Sequence, residues 1–278
     1  MSAFRTTDVE LVMFQPMLER THSLFRSLVT HAATANVRVS RSPTYQGRCD
    51  WLLLWGPGHP DRAAVMARHV SQGGHVVAWD LAYWHRDRKM RVSIDAAHPQ
   101  AWVMRRDRPP ARFLADRVPV EDRWKASGPV VIAGLGDKAR VQYGATAVDA
   151  WESAMAQACR TRWPGRPIIY RKKRPTAATP SWASSVSQAA RPIEDALRGA
   201  SLVVTWHSNV AVDAIRMGIP VICRDGAAAA VCHDTLGEAD PQPLDVTVRD
   251  RFLANLAWFQ WAPQEAPACW SFLRETLA

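Results

Sequence analysis

The most specific pattern in the chain is "VVTWHSNVAVDAIRMGIPVICRDG", residues 203–226. Its first residues are β-branched and apolar, as in a buried strand, and the pattern changes at His207, Ser208 and Asn209. The residues that follow have apolar side chains at helical spacing up to Gly218, where a helix can end before a second apolar run. A strand, a helix and another strand in this order predict a βαβ unit of a parallel sheet.

The rest of the chain repeats this alternation. Apolar runs that predict strands occur in both halves, at residues 8–14, 49–56, 75–81, 129–134, 166–171 and 201–206. An Arg- and Pro-rich passage at 101–128 has little periodicity, so we place the domain boundary there. The sequence therefore predicts an α/β protein with two Rossmann-like domains, 1–125 and 126–250, followed by C-terminal helices at 251–278.

Composition narrows the class of protein. A hydrophobic content of 47% with 13 tryptophans is enough to build folded cores. No apolar run approaches the ~18 residues of a membrane span, and residues 1–14 lack the pattern of a secretory signal. The five cysteines are scattered without a C-x-x-C pair, which favours neither a disulfide framework nor a zinc site. We expect a cytoplasmic protein without a membrane span or a bound metal.

The net charge of +9 points to an anionic partner. Only five of the 35 basic residues are lysine, so 30 are arginine, a bias that a GC-rich genome also produces. The basic residues cluster with aromatic residues and prolines at 84–91, 104–113 and 170–175. These clusters favour nucleic acid or a phosphate-rich substrate, although charge alone does not choose between them.

Three strand ends in the second half carry groups that suit phosphate. Ligands of doubly wound sheets bind beyond the carboxyl ends of the strands, where the backbone and basic side chains can reach them. Ser208 can cap the following helix and leave the N–H groups at 209–211 for an anion. The candidate donor-phosphate residues at these three strand ends are Gly134, Gly136, Lys138, Arg171, Arg174, His207, Ser208 and Asn209. A tight turn would also explain the glycines, and a solvated basic loop would also explain the lysines.

The same residues resemble a known family. "HSN", a helix and "GIPVI" resemble the H-S-S-x-x-x-E-A-L-x-x-G-x-P-V-I signature of GT-B glycosyltransferases. The likeness is greatest to the capsular-polysaccharide (Kdo-transferase-like) group and related phage-encoded transferases. "IIYRKKRP" resembles the basic strand end of that group, and "RDRFLANLAWFQWAPQE" at 249–265 resembles its C-terminal motif. The similarity covers roughly residues 128–270.

The resemblance implies an architecture and a donor site. It implies two Rossmann-like domains facing a cleft, with C-terminal helices that cross back to the first domain. The second domain would hold the diphosphate of a nucleotide sugar, with a UDP-sugar favoured and protein cations in place of an obligatory metal. Asp213 stands where the family has Glu, and Arg174 stands where it has His.

The first domain would then hold the acceptor and the catalytic base. Asp80 follows a predicted strand and is our first choice of base, and His59 lies at the tip of a Gly-Pro loop that is otherwise an ordinary turn. Asp95 and His98 form a second carboxylate–imidazole set that could instead be a turn pair. The candidate acceptor-contacting residues are Tyr83, Trp84, Arg86, Arg88, Arg105 and Arg106.

The resemblance, together with the basic and aromatic clusters, therefore implies a phage-type DNA glycosyltransferase, located in the host cytoplasm if phage-encoded. It would transfer a sugar, for example from UDP-glucose, to a hydroxymethylated pyrimidine such as 5-hydroxymethylcytosine in duplex DNA. Three alternatives stay open: a capsule or lipopolysaccharide glycosyltransferase, a non-catalytic nucleic-acid-binding protein on a GT-B scaffold, and a sugar-nucleotide epimerase. The sugar, the nucleotide, the stereochemical course and the oligomeric state are left open.

Overall fold

A computed structural model describes residues 6–15, 17–47, 49–173, 179–188 and 192–277. In these residues the strands are β1 (Thr7–Val12), β2 (Val37–Ser42), β3 (Trp51–Trp55), β4 (His75–Leu81), β5 (Met90–Ile94), β6 (Val130–Ala133), β7 (Ile168–Lys172), β8 (Ser185–Gln188), β9 (Leu202–Thr205), β10 (Val221–Cys223) and β11 (Gln260–Trp261). The helices are α1 (Glu19–His31), α2 (Pro60–Ser71), α3 (Gln100–Val103), α4 (Ala111–Asp116), α5 (Asp137–Tyr143), α6 (Ala145–Arg162), α7 (Ile193–Leu197), α8 (Val210–Arg216), α9 (Val246–Ala257) and α10 (Ala266–Leu277).

The chain forms two compact units. The first comprises residues 1–99 and 257–278, and the second comprises residues 100–256. The units divide after residue 99, whereas the sequence placed the boundary near residue 125 inside the Arg- and Pro-rich passage. Each unit contains its own sheet, as expected for a two-domain α/β protein.

The first unit is built on a six-stranded sheet in the order β11-β5-β4-β3-β1-β2. Strands β2, β1, β3 and β4 are parallel, whereas β5 runs antiparallel to β4 and β11 antiparallel to β5. The central strand "WLLLW" has its first four residues buried, because parallel strands are covered on both faces.

The C-terminal segment belongs to the first unit. β11 extends the sheet at its β5 edge, and the side chain of Gln260 accepts hydrogen bonds from the backbone amides of Tyr83 (2.8 Å) and Trp84 (3.2 Å). The indole of Trp270 stacks on Trp51 and donates to the Leu28 carbonyl at 2.8 Å. The "QW" pair of the C-terminal motif therefore completes the sheet and fixes the loop that follows β4.

The second unit has a fully parallel five-stranded sheet in the order β10-β9-β6-β7-β8. The central strand β6 is buried along its whole length, and its residues pair with β7 on one side and β9 on the other. The opening motif of the sequence supplies β9, α8 and β10, so the predicted βαβ unit is confirmed. Within the described residues, no helix combines the length and apolar composition needed to cross a membrane.

The sequence analysis did not predict four of the short strands. β2 and β8 lie at sheet edges, where "VRVSRS" and "SVSQ" show too few apolar side chains to be recognised. β5 has an Arg and a Ser among its 5 residues, and β11 has only 2 residues and pairs with β5 in a distant part of the chain. The periodicity of a local window does not contain that information.

Candidate functional site

The glycine loop after β6 is packed against the neighbouring strand β7. The Gly134 N–H donates to the Arg171 carbonyl at 3.1 Å, and a Cβ at Gly134 would lie 2.2 Å from the Tyr170 hydroxyl. A Cβ at Gly136 would lie 3.3 Å from the Cδ of Lys173, the flexible part of an exposed side chain. The first glycine is therefore required by packing, whereas the second keeps backbone accessible beside a basic side chain.

A buried carboxyl group lies next to this loop. Glu152 on α6 is 2% exposed, and burial raises its pKa to about 7, with Asp149 adding to the increase. Attraction to Arg140 and a hydrogen bond from the Leu135 backbone amide act in the opposite direction. Sequence reasoning missed Glu152, because a single Glu on an amphipathic helix gives no sign that it faces the core.

The His-Ser-Asn loop after β9 is held by backbone hydrogen bonds. The Thr205 hydroxyl accepts from the Ser208 N–H at 3.2 Å and donates to the Ala133 carbonyl at 3.3 Å. The Ser208 hydroxyl accepts from the Val210 N–H at 3.4 Å, and the Ser208 carbonyl accepts from the Ala211 N–H at 3.0 Å. The prediction that the amides of 210 and 211 stay available for an anion is therefore wrong.

The position of the cap also differs from the prediction. Asn209 occupies the N-cap of α8 without a side-chain capping bond, so Ser208 closes the preceding turn and is not itself the N-cap. Ser208 and Asn209 are both half-buried. An anion at this loop would have to be bound by side chains and by the neighbouring loops.

Aromatic rings lie at the beginning of the His-Ser-Asn loop. The ring of Tyr143 lies 5.3 Å from His207 and 5.4 Å from Trp206, between ring centroids. The Arg224 guanidinium stacks over Trp206 with its Cζ 4.5 Å from the ring centroid. The Arg224 guanidinium on the Trp206 ring, at the end of a strand, forms a flat basic surface that suits a planar anionic ligand such as a nucleotide.

Asp225, which follows β10, is the acidic member of this group. Its carboxylate accepts hydrogen bonds from Gln100 Nε2 (2.8 Å), the Tyr143 hydroxyl (2.5 Å) and the Gly226 amide (2.7 Å). Gly226 has a φ of +92°, and a Cβ there would lie 3.1 Å from the His207 carbonyl oxygen. Sequence reasoning missed Asp225 and Tyr143, although the "DG" after an apolar strand was a usable signal.

The basic residues after β7 have acidic neighbours of their own. Burial lowers the pKa of Arg171, whereas attraction to Glu194 and Asp213 opposes that shift, and Arg171 also donates to the Ser187 hydroxyl at 2.9 Å. Asp213 in turn lies 3.8 Å from the guanidinium of Arg216. Part of the positive charge predicted for the donor site is therefore balanced within the unit.

The other two basic candidates have different positions. Lys138 is exposed in the first turn of α5, just after the glycine loop. Arg174 lies outside the described residues.

In the first unit, Asp80 lies at the carboxyl end of β4. Its Oδ2 is 3.0 Å from Nη2 of Arg91, and its Oδ1 accepts the Leu81 amide at 2.7 Å. His59 precedes α2 in the loop that follows the adjacent parallel strand β3, with its Nδ1 3.6 Å from Asp61. The two catalytic candidates thus follow neighbouring strands at the same edge of the sheet.

Asp95 lies at the opposite end of β4. Its carboxylate binds the His75 imidazole at 2.9 Å and the Val76 amide at 2.7 Å. It therefore holds the amino end of the strand and is remote along β4 from Asp80.

The acceptor candidates fall into three groups. Tyr83 is buried, with Arg91 over its ring at 5.6 Å, and Trp84 is half-buried. Arg86 and Arg88 are exposed on the loop between β4 and β5. Arg105 and Arg106 are also exposed but belong to the second unit, where Arg105 stacks on Trp102 with Cζ 4.0 Å from the ring centroid.

Comparison with known proteins identifies the fold. No protein-family model and no curated protein matches the sequence. Among solved structures, the chain is similar to the KpsC β-Kdo 2,7 transferase of Thermosulfurimonas dismutans, with a TM-score of 0.54, 13% identity, and 96% of this chain and 99% of that chain covered.

The KpsC β-Kdo 2,4 transferase of the same organism gives a TM-score of 0.50 at 11% identity and covers 97% of this chain and 98% of that chain. The chain therefore shares the two-domain α/β fold of these two structures, which is the GT-B-like fold that its motifs predicted.

Proposed function

We propose that the protein is a glycosyltransferase that uses a nucleotide-sugar donor. The observation that carries this proposal is the carboxyl edge of the second sheet, where the glycine loop, the His-Ser-Asn loop and the Arg224–Asp225 loop follow strands β6, β9 and β10. In open parallel sheets this edge is the place where ligands bind. The fold is shared with transferases of known structure, which supports the same use of the edge.

The donor would bind along this edge. The backbone at Gly136 and the side chains of Lys138 and Lys173 would approach the diphosphate, while Arg171 supplies a partly balanced charge. Cations placed there would stabilise the negative charge that develops on the leaving nucleotide, and electrostatic stabilisation of this kind often lowers the barrier more than any other effect. His207 and Asp213 complete the proposed donor set, and a UDP-sugar is the first donor to test.

Asp80 would act as the catalytic base toward the acceptor. A carboxylate at a sheet edge can take the proton of an acceptor hydroxyl while that oxygen attacks the anomeric carbon and the nucleotide leaves with the bonding electrons. Arg91 holds the carboxylate by an ion pair of 3.0 Å, which fixes its orientation. His59 lies at the same edge and is the second candidate for this role.

The acceptor we propose is a hydroxymethylated pyrimidine in duplex DNA. The net charge of +9 and the exposed side chains of Arg86, Arg88, Arg105 and Arg106 support a polyanionic acceptor. A base within a duplex must leave the stack before its hydroxyl can be reached, and aromatic or guanidinium groups can fill the gap. Trp84, which is half-buried beside the basic loop, is the available aromatic side chain there.

A capsule-type acceptor is the second candidate, and the comparison itself favours it. The two structures compared above are KpsC β-Kdo transferases by name, and transfer of Kdo to a glycan is the activity that we would then propose for this chain. The arginine clusters would then bind an acidic glycan in place of DNA.

A competition assay separates the two acceptors. The protein is incubated with a donor panel of UDP-glucose and CMP-Kdo, together with 5-hydroxymethylcytosine duplex DNA and a Kdo-terminated oligosaccharide, and both acceptors are analysed by mass spectrometry. Sugar on the nucleoside supports the DNA proposal, and sugar on the oligosaccharide alone supports the capsule-type candidate. DNA binding without transfer to either acceptor would favour a non-catalytic nucleic-acid-binding protein. Conversion of the donor without any acceptor would favour an epimerase.

A further inference from the structure

Arg62 is a buried cation with few partners. The residue is 8% exposed in the first turn of α2, and its Nη1 donates to the Trp55 carbonyl at 2.8 Å. Within the described part of the chain, that carbonyl is the only hydrogen-bond acceptor of the guanidinium. A guanidinium carries five N–H donors, and buried charges are normally paired and fully hydrogen-bonded. Arg62 therefore has donors to offer to a group that the protein itself does not supply.

The surrounding backbone fixes the position of this guanidinium. Gly56 has a φ of +69°, and a Cβ there would lie 2.4 Å from Nη1 of Arg62, so a larger residue would strain the backbone and displace the guanidinium. The Phe14 ring covers the other side, with the Arg62 Cζ 5.3 Å from its centroid. The side chain is thus held in place by residues from two other segments of the first unit, at positions 14 and 55–56, which is a preorganised arrangement.

The charges near Arg62 leave an excess of positive charge. Burial lowers the pKa of Arg62, and only Asp80 and Asp61 act against that shift by attraction. Asp80 is already paired with Arg91, and the Asp61 side chain is 86% exposed, so solvent screens it. Two buried guanidinium groups therefore share one partly buried carboxylate at the carboxyl edge of the first sheet.

We propose that Arg62 binds an oxyanion of the acceptor, either a phosphate ester or a sugar carboxylate. The planar guanidinium matches both groups, and its position after β3, beside the Asp80 strand β4, would bring the anion close to the base. The assignment of this anion to the acceptor rests on the proposed function, whereas oxyanion binding at Arg62 does not. Arg62 was not among the residues that the sequence motifs selected.

Calorimetric titration of the full chain with inorganic phosphate tests the site without any sugar transfer. Ionic strength is held constant with chloride, and Arg62→Gln is compared with Arg68→Gln, which removes the same charge from an exposed position on the same helix. Phosphate should bind the unchanged protein and Arg68→Gln equally, and Arg62→Gln should weaken binding about tenfold or more, as expected for a charge-assisted hydrogen bond. Equal binding by Arg62→Gln and the unchanged protein overturns the proposal.

Arg62→Lys covers the case in which Arg62→Gln fails to fold. Lysine keeps the charge but loses the planar fork, so phosphate binding should weaken by a smaller factor than in Arg62→Gln. Unaltered affinity in a folded Arg62→Lys protein, together with equal affinity for chloride and phosphate, would count against a built oxyanion site.

Two further ligands identify the source of the oxyanion. Glucuronate is compared with glucose, and a dinucleotide is compared with its nucleosides. Arg62-dependent binding of glucuronate indicates an acidic sugar, and that of the dinucleotide indicates nucleic acid, and either result supports the site. If phosphate, glucuronate and the dinucleotide all fail to bind the unchanged protein, the inference is wrong. If phosphate binds through Arg62 but no sugar is transferred from any donor, the proposed function fails while the oxyanion site stands.

Discussion

Asp80 and Arg91 face each other across the antiparallel pair of strands β4 and β5, and their side chains form an ion pair of 3.0 Å. Arg91 is 5% exposed and also donates to the Ala97 carbonyl at 3.2 Å, so its guanidinium is fixed on two sides. The Asp80 carboxylate is thereby held at the carboxyl edge of the sheet, in an orientation that a surface Asp would not keep. This arrangement gives the proposed base a defined geometry.

Asp80→Asn should remove the base, and because it also weakens the ion pair with Arg91, urea unfolding of the variant is measured beside its kinetics. Because the amide cannot accept the hydroxyl proton, kcat for sugar transfer should fall by about 10² to 10⁴ while donor affinity stays unchanged. Steady-state kinetics and donor titration measure the two quantities. Asp87→Asn, an exposed change on the following loop, is the control and should retain full activity. A normal kcat in Asp80→Asn would remove Asp80 from the mechanism and leave His59 as the candidate.

Arg91→Gln should destabilise the first unit by about 2 kcal/mol, because it leaves Asp80 without its buried partner and the Ala97 carbonyl without a donor. Urea unfolding of the variant beside Arg88→Gln, an exposed arginine three positions earlier, measures the difference. A loss no larger than that of Arg88→Gln would show that the Asp80–Arg91 pair contributes nothing to stability.

Glu152 should make the stability of the second unit depend on pH. Burial raises the pKa of Glu152 from 4.5 to about 7, so the folded protein binds more protons than the unfolded chain between these values. The contribution of Glu152 to the free energy of unfolding is therefore fully present below about pH 4.5 and is lost as the pH rises through about 7. The free energy of unfolding falls by about 3 kcal/mol over this range.

Glu152→Gln removes this titration. The variant should gain about 3 kcal/mol relative to the unchanged protein between about pH 5 and about pH 8. Denaturant unfolding across that range measures the gain, with Asp137→Asn, an exposed acid in the first turn of α5, as the control. Parallel pH profiles for Glu152→Gln and the unchanged protein would show that Glu152 has an ordinary pKa.

Two glycine substitutions separate folding from donor binding. Gly134→Ala places a Cβ 2.2 Å from the Tyr170 hydroxyl and should cost about 1–3 kcal/mol of stability through overpacking. Gly136→Ala meets only the Lys173 side chain at 3.3 Å, so stability should change little while the KM for the donor rises. Thermal unfolding and donor kinetics check both variants. An unchanged KM in Gly136→Ala would place the diphosphate elsewhere.

The arginine loop between β4 and β5 should contribute to the salt dependence of DNA binding. Each phosphate contact contributes about 0.9 to the slope of log affinity against log salt concentration. Arg86→Gln combined with Arg88→Gln should therefore reduce the slope by about 2, measured by fluorescence anisotropy with duplex DNA. Arg26→Gln, an exposed change on α1, should leave the slope intact. An unchanged slope in the double variant would remove this loop from any DNA interface.

Much of the fold could be predicted from local patterns, because buried parallel strands such as "WLLLW" and "SLVVT" are continuous apolar runs with helices between them. The same patterns locate Asp80 and His207 at strand ends. Glu152 and Arg62 could not be selected, because their environments are created by tertiary contacts. The Leu135 amide at Glu152 and the Gly56 backbone at Arg62 are examples.

The prediction of free N–H groups at 210 and 211 was wrong for a related reason. The Ser208 hydroxyl and carbonyl accept hydrogen bonds from those amides, and residue types alone do not show whether an amide binds a neighbouring residue or a ligand.

An assay of sugar transfer decides whether the protein is a glycosyltransferase. The full chain and Asp80→Asn are each incubated with UDP-glucose and 5-hydroxymethylcytosine duplex DNA, and the digested nucleosides are analysed by mass spectrometry. We predict a hexosylated nucleoside and released UDP with the unchanged protein, and neither above background with Asp80→Asn. Absence of transfer from every nucleotide sugar tested, to DNA and to glycan acceptors alike, would contradict the assignment as a glycosyltransferase.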